Sequence, residues 1–204
     1  MELANPKPPA KPGLKTLILY WSATGNTEKV ALAIQRGVRK EGITPTVKRF
    51  AEAQGEDFCR YDLVFMGAPP YHNHLPPLEV QRFLSQKEKF YMRRGDIKLG
   101  APRIPGKTAV VFCTYSGPHT GVNEAIPTTK YMGQFLDHLG FDIAAEWHIV
   151  GESHDSVEYS TKGRLGDIRG RPNEQDLAKV EADTAELVRS ILTIKFSPDH
   201  HGTR

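Results

Sequence analysis

Cysteine, net charge and long apolar runs are all scarce in this chain of 204 residues. Its two cysteines, Cys59 and Cys113, exclude a disulfide framework and are typical of a reducing compartment, so we expect a cytoplasmic protein. No uncharged stretch is long enough to span a bilayer, and the first residues lack the apolar centre of a signal peptide. The net charge of +3 is spread along the chain, which argues against nucleic acid as a partner.

The remaining composition is that of an ordinary globular protein. Hydrophobic residues make up 39% of the chain and charged residues 25%, and the two kinds are interspersed. This length is typical of a single α/β domain, which we expect over residues 14–194. Residues 1–13 are rich in Pro and Lys and residues 195–204 are polar, so we expect flexible tails at both ends.

Five apolar segments with the composition of strands alternate with amphipathic segments. The strands are expected at residues 14–20, 44–50, 61–68, 107–115 and 141–151. Helices are expected at residues 27–42, from Pro76 or Pro77 onward, at 128–140, and after Asn173, whose side chain is a suitable N-cap. This alternation predicts a parallel sheet with helices on both faces. Ligands of such sheets lie beyond the carboxyl ends of the strands, so the loops that follow strands are candidate sites.

The first such loop, residues 22–27, consists of small residues with many hydrogen-bonding groups. Its members are Ser22, Ala23, Thr24, Gly25, Asn26 and Thr27. Because the loop precedes a helix, backbone N–H groups and the positive end of the helix dipole favour an anion here. With no Lys or Arg in the loop, a phosphate would be held by neutral donors alone. The alternative is a capped helix start, in which Ser22 or Thr24 only satisfies backbone N–H groups.

The sequence around this loop resembles the FMN-phosphate signature of the flavodoxin family, and the resemblance extends over roughly residues 14–192. The matching residues are Ile18, Leu19, Tyr20, Ser22, Gly25, Thr27, Ala31 and Ile34. The resemblance implies a flavodoxin-like three-layer α/β sandwich, with a five-stranded parallel sheet of order 2-1-3-4-5. It also implies FMN as a non-covalent cofactor, with its phosphate on the first loop.

In that family the loop after the third strand flanks the flavin ring, and the resemblance implies the same role for residues 67–77. Tyr71 matches the position of a stacking aromatic, and Pro69 and Pro70 stiffen the loop. His72 and Asn73 are candidate hydrogen-bond partners of the ring edge. The alternative is that Tyr71 is a rim residue without a ligand. We predict no metal at His72 and His74, because no cysteine or carboxylate cluster accompanies them.

The loop after the fourth strand covers another part of the flavin in the family. The matching residues here are Thr114, Tyr115, Ser116 and Gly117, of which Tyr115 is a second candidate for stacking. The alternative is a Gly/Pro turn with no ligand. Cys113 is expected to be a buried apolar residue and not a reactive thiol. No residue has the pattern of a catalytic acid, base or nucleophile, so none is predicted to be catalytic.

The mildly basic charge of the chain differs from the strongly acidic electron carriers of the family. His72, His74 and His119 fall in the predicted flavin loops, and cationic neighbours stabilise a reduced, anionic flavin. We therefore predict a less negative reduction potential than that of an acidic flavodoxin. If a histidine lies close to the flavin, the potential should depend on pH between about 5 and 8.

We expect a flavodoxin-like redox protein that transfers electrons through non-covalently bound FMN, and we compare three functions. The first is an electron carrier that docks to a redox partner protein. The second is an NAD(P)H-dependent quinone or flavin oxidoreductase, because residues 151–180 are similar to the long last loop of the WrbA-type NAD(P)H:quinone oxidoreductases. The chain has no long insertion after its second strand, where those enzymes carry one used in tetramer formation. The third is an interaction module without flavin. The oligomeric state is left open.

Overall fold

The computed structural model describes residues 13–195, with a sheet of five strands at their centre. The strands are β1 (Thr16–Tyr20), β2 (Thr46–Arg49), β3 (Leu63–Gly67), β4 (Thr108–Tyr115) and β5 (Asp142–Val150). Each strand lies within the segment predicted for it. The expected tails lie outside the described residues, apart from Gly13 and Lys195.

All four strand pairings are parallel, and the order β2-β1-β3-β4-β5 confirms the predicted topology. In the central register, Ile18 of β1 pairs with Val47 of β2 on one side and with Phe65 of β3 on the other. The chain therefore reverses its direction of winding at β1. The crevice beyond the carboxyl ends of β1 and β3 is the place where sheets of this kind bind ligands.

Within residues 13–195, five α-helices connect or follow the strands. They are α1 (Asn26–Lys40), α2 (Leu78–Arg94), α3 (Ile126–His138), α4 (Val157–Thr161) and α5 (Glu174–Lys195). Asn173 caps α5 as predicted, since its Oδ1 accepts from the N–H of Asp176 at 3.1 Å. The short helix α4 was not predicted, because its segment is polar and too short to show an apolar period. None of the helices in residues 13–195 is both long and apolar enough to cross a membrane.

Alternation along β1 divides its side chains between two cores. Leu17 and Leu19 pack in the core formed with α2 and α3, while Ile18 and Tyr20 pack in the core formed with α1 and α5. Full burial of one such aliphatic side chain contributes about 1.5–3 kcal/mol. Because both faces of β1 are covered, its orientation is held firmly and the loop that follows it starts from a rigid support.

Candidate functional site

The loop between β1 and α1 leaves the start of α1 without a side-chain cap. Gly25 precedes the helix with φ +99°, a left-handed conformation that glycine adopts without strain. The hydroxyl of Ser22 accepts from the Gly25 N–H at 3.1 Å, outside the helix. The first helical bond runs from the Lys29 N–H to the Gly25 carbonyl at 2.9 Å. Ser22 therefore satisfies one backbone N–H before the helix, as the alternative expects, while no side chain caps the first N–H groups of α1 itself.

The backbone N–H groups of Asn26, Thr27 and Glu28 consequently have no protein acceptor within residues 13–195. Thr24 is exposed beside them, while Thr27 is buried. Free N–H groups at a helix start carry partial positive charge and bind anions. The arrangement thus suits a phosphate group held by neutral donors.

Asn26 joins this loop to the segment that follows β5. Its amide nitrogen donates to the Glu152 carbonyl at 3.0 Å, and its side chain is 7% exposed. Its amide oxygen is buried and has no partner among the described residues. Leaving a buried acceptor without a donor costs free energy, so a ligand that donates a hydrogen bond to this oxygen would be stabilised. Gly151 permits the close approach, because a Cβ there would lie 3.0 Å from the Asn26 amide nitrogen.

The loop after β3 holds Tyr71 at the edge of the site. The Tyr71 N–H donates to the Leu75 carbonyl at 2.8 Å, and the Thr128 hydroxyl donates to the His74 carbonyl, also at 2.8 Å. Asn73 and His74 have φ of 60° and 59°, which is strained for residues other than glycine. The Tyr71 ring is 46% exposed, and it meets Trp21 edge to face with 5.3 Å between the ring centroids. Partial burial raises the pKa of Tyr71.

The loop after β4 is closed tightly by two glycines and a glutamate. A Cβ at Gly117 would lie 2.6 Å from the Gly121 carbonyl oxygen, and the Gly121 N–H donates to the Gly117 carbonyl at 3.1 Å. Glu124 is 7% exposed and accepts from the N–H groups of His119 at 2.8 Å and Thr120 at 2.5 Å. The loop is therefore rigid before any ligand binds.

Tyr115 and Thr114 at the end of β4 are buried. Tyr115 packs against Cys113, Ala125 and Val150, and burial raises its pKa. Cys113 is fully buried, as expected, and burial raises the pKa of its thiol above the usual range. These positions give the floor of the site a fixed shape.

The three loops enclose one cleft of about 450 Å³ at the carboxyl edge of the sheet. Of the predicted site residues, all but Gly25 and Asn73 line it; the lining set is Ser22, Ala23, Thr24, Asn26, Thr27, Pro69, Pro70, Tyr71, His72, Thr114, Tyr115, Ser116 and Gly117. Gly25 and Asn73 belong to the same loops and shape their backbones. His74 and His119 also line the cleft.

A fourth wall of the cleft was missed by the sequence reasoning. It follows β5 and consists of residues 151–155 together with Tyr159 of α4. Pro118 and Glu124, which follow β4, also line the cleft and were not predicted. The Glu152 N–H donates to the Arg171 carbonyl at 2.8 Å, which ties this wall to the segment before α5. The rule that ligands lie beyond strand ends applies to β5 as it does to β1, and it was the available signal.

The charges around the cleft are carboxylates and imidazoles. None of the residues that line it is Lys or Arg, whereas Glu124, Glu152 and Asp155 are acidic. Histidine contributes four lining residues, namely His72, His74, His119 and His154.

Comparisons with known proteins agree with this geometry. The sequence model of the flavodoxin family matches residues 18–182. The chain is 23% identical over 199 residues to an NAD(P)H dehydrogenase (quinone) of Rhizobium rhizogenes, covering 86% of this chain and 96% of the relative. It is 26% identical over 188 residues to an NAD(P)H dehydrogenase (quinone) of Caulobacter vibrioides, covering 80% and 89%.

Solved structures share the fold at low sequence identity. Oxidised flavodoxin 1 from Bacillus cereus superposes with a TM-score of 0.60 at 16% identity, covering 86% of this chain and 97% of the flavodoxin. Rubredoxin oxygen:oxidoreductase from Desulfovibrio gigas superposes with a TM-score of 0.57 at 19% identity, covering 92% of this chain and 38% of that protein.

Proposed function

Because this chain belongs to the flavodoxin family and is a flavin-binding redox protein, we propose that it binds FMN non-covalently in the cleft beyond β1, β3, β4 and β5. The observation that carries the proposal is the uncapped start of α1. Its free N–H groups, with the hydroxyls of Ser22, Thr24 and Thr27 around them, are the neutral donors that suit a phosphate monoester.

The flavin ring would then be held by the loops after β3 and β4. Tyr71 and Tyr115 are the proposed aromatic contacts, and offset or edge contacts of this kind add about 0.5–1.5 kcal/mol beyond the burial of area. The unpartnered oxygen of Asn26 offers an acceptor to an N–H or O–H group of the cofactor. When bound, the cofactor supplies one-electron and two-electron chemistry, and the protein determines its position and its electrostatic surroundings.

We propose electron transfer through this flavin as the activity, with a partner protein as donor or acceptor and a cytoplasmic location. A second candidate, an NAD(P)H-dependent quinone oxidoreductase, is favoured by the two NAD(P)H dehydrogenase (quinone) relatives described above, of which this chain covers 96% and 89%. Mixing the FMN-loaded protein with NADH or NADPH without oxygen separates the two. Rapid bleaching of the yellow colour supports the oxidoreductase, and a colour that persists supports the carrier.

The phosphate contact is tested by comparing FMN with riboflavin, which lacks the phosphate. Thr24→Val removes one exposed hydroxyl at the loop and should weaken FMN binding about fivefold or more, the equivalent of about 1 kcal/mol for one hydrogen bond. Riboflavin binding should stay unchanged. Thr193→Val, at an exposed position of α5, is the matched control. If the variant weakens both ligands equally, or neither, the phosphate does not bind at this loop.

A further inference from the structure

A second, smaller cleft opens at the same edge of the sheet, beyond the ends of β1 and β2. Its volume is about 220 Å³, and Ser22 lines both this cleft and the larger one. Trp21 lines the smaller cleft and meets Tyr71 of the larger one at 5.3 Å between ring centroids. The two clefts are therefore direct neighbours, separated by one aromatic pair and one serine.

The inner surface of the second cleft is aromatic. Tyr20, Phe50 and Phe83 line it, and these side chains are 6%, 3% and 3% exposed. Because they are packed in the cores on either side of the sheet, they form a surface that does not rearrange easily. Such a surface, with the Trp21 indole beside it, suits a flat aromatic ring.

The polar groups at the mouth of this cleft suit a ring that carries both hydrogen-bond donors and hydrogen-bond acceptors. The Trp21 indole N–H donates to one carboxylate oxygen of Glu79, and the other oxygen has no partner within residues 13–195. The side chain of Gln54 is exposed and lines the cleft as well. A glutamine amide pairs with the amino group and a ring nitrogen of adenine, and a carboxylate accepts from the same amino group. A quinone offers only acceptors, which would face the Glu79 carboxylate.

The charges at the mouth disfavour an additional phosphate. Arg49 pairs with Glu28 at 2.8 Å, and its guanidinium lies 5.5 Å from the centre of the Tyr20 ring. Its positive charge is thus already matched, and Glu79 adds negative charge on the other side of the cleft. The 2′-phosphate that distinguishes NADPH from NADH would have to compete with Glu28 for Arg49 and would lie near Glu79.

We propose that the second cleft binds the adenine of NADH, so that the nicotinamide end reaches the larger cleft past Ser22, and that it selects NADH over NADPH. This inference rests on the second candidate activity above. It assigns the binding of the dinucleotide to Gln54, Glu79 and the aromatic residues of the cleft.

The test uses ADP-ribose, which carries the adenosine of NADH without the nicotinamide, and protein saturated with FMN. The chain has two tryptophans, so Trp147→Phe leaves Trp21 as the only fluorescent indole. ADP-ribose should change the Trp21 emission and bind in calorimetry without displacing FMN. Gln54→Ala should weaken ADP-ribose about fivefold or more, and should raise KM for NADH by the same factor with kcat unchanged. Gln134→Ala, exposed on α3, is the matched control.

Three results would overturn the inference. They are no binding of ADP-ribose to the FMN-loaded protein, equal affinity in Gln54→Ala and Gln134→Ala, and tighter binding of 2′-phospho-ADP-ribose than of ADP-ribose. FMN binding is followed separately by the visible absorption of the flavin. A protein that binds ADP-ribose but not FMN would contradict the proposed function, whereas one that binds FMN but not ADP-ribose would contradict only this inference.

Discussion

The side-chain hydroxyls of Thr27 and Thr114 lie 2.7 Å apart, and both residues are buried. Thr27 belongs to the first turn of α1 and Thr114 to the end of β4, so one hydrogen bond connects two of the loops that form the larger cleft. Each of these residues had been predicted as a separate cofactor contact. Their pairing gives Thr27 a structural role in addition to the proposed one.

Thr27→Val should destabilise the protein even without cofactor. The Thr114 hydroxyl would remain buried without its partner, which costs about 1–3 kcal/mol of unfolding free energy. Thr27→Ser keeps the hydroxyl, so its free energy of unfolding should lie much closer to that of the native protein. Urea unfolding of the cofactor-free protein measures both, and equal stability of the two variants would contradict the structural role of this bond.

Gly117→Ala should destabilise the loop after β4. Gly117 has φ +50°, and an added Cβ would lie 2.6 Å from the Gly121 carbonyl oxygen, so both strain and a clash oppose the side chain. We expect a loss of more than about 1 kcal/mol of unfolding free energy and weaker flavin binding. The control is Gly55→Ala, because no atom lies within 4 Å of a Cβ at that exposed position. Similar stabilities of the two variants would count against this account of the loop.

Stability should fall on acidification partly because of Asp57. Hydrogen bonds from the Arg94 guanidinium lower the pKa of the Asp57 carboxyl, with bonds of 2.8 and 3.0 Å. The ionised form is thus favoured in the folded state, so its contribution is present above the unfolded pKa of about 3.9 and is lost as pH falls through the lower folded value. Because the Arg94 side chain is 36% exposed, solvent screens the pair and the effect should stay near 1 kcal/mol or below.

Asp57→Asn isolates this contribution. The variant should be less stable than the native protein at pH 6 and should lose less stability between about pH 5 and pH 2. Asp142→Asn, at the exposed start of β5, serves as the control. A native-like slope of unfolding free energy against pH in Asp57→Asn would show that other carboxyl groups account for the acid sensitivity.

The imidazoles of the larger cleft should influence the potential of the bound flavin. His72, His74 and His119 line the cleft as predicted, although Glu124, Glu152 and Asp155 line it too and act in the opposite sense. His119→Gln removes one of these imidazoles from the cleft. The potential should become more negative, by on the order of 30 mV for a two-electron couple, which corresponds to about 1.4 kcal/mol, because a neighbour that can stabilise the reduced, anionic flavin is lost.

Spectroelectrochemical titration of the FMN-loaded variants measures this effect. His138→Gln is a matched control, because His138 pairs with Glu88 between α3 and α2 at 3.0 Å and does not line the cleft. An equal change of potential in the two variants would show that the cleft histidine does not influence the flavin potential.

Much of the larger cleft could be predicted because its chemistry is local in sequence. The residues from Ser22 to Thr27 combine a strand end, a left-handed glycine and a helix start within six positions. The other two predicted loops also follow directly on apolar runs. The wall after β5 also follows a predicted strand, but its residues show no pattern of phosphate binding or ring stacking, so it was missed. Its position depends on the hydrogen bond from Asn26 to the Glu152 carbonyl, which joins residues 126 positions apart.

The sequence by itself determined the alternation of strands and helices, the parallel sheet and three of the four walls of the larger cleft, since apolar periodicity and loop composition act over a few residues. Only the tertiary structure decided that Thr27 pairs with Thr114, that Asn26 holds the wall after β5, and that a second aromatic cleft adjoins the first. These features depend on the distances between atoms of segments far apart in the chain, and those distances exist only once both cores are packed around the sheet.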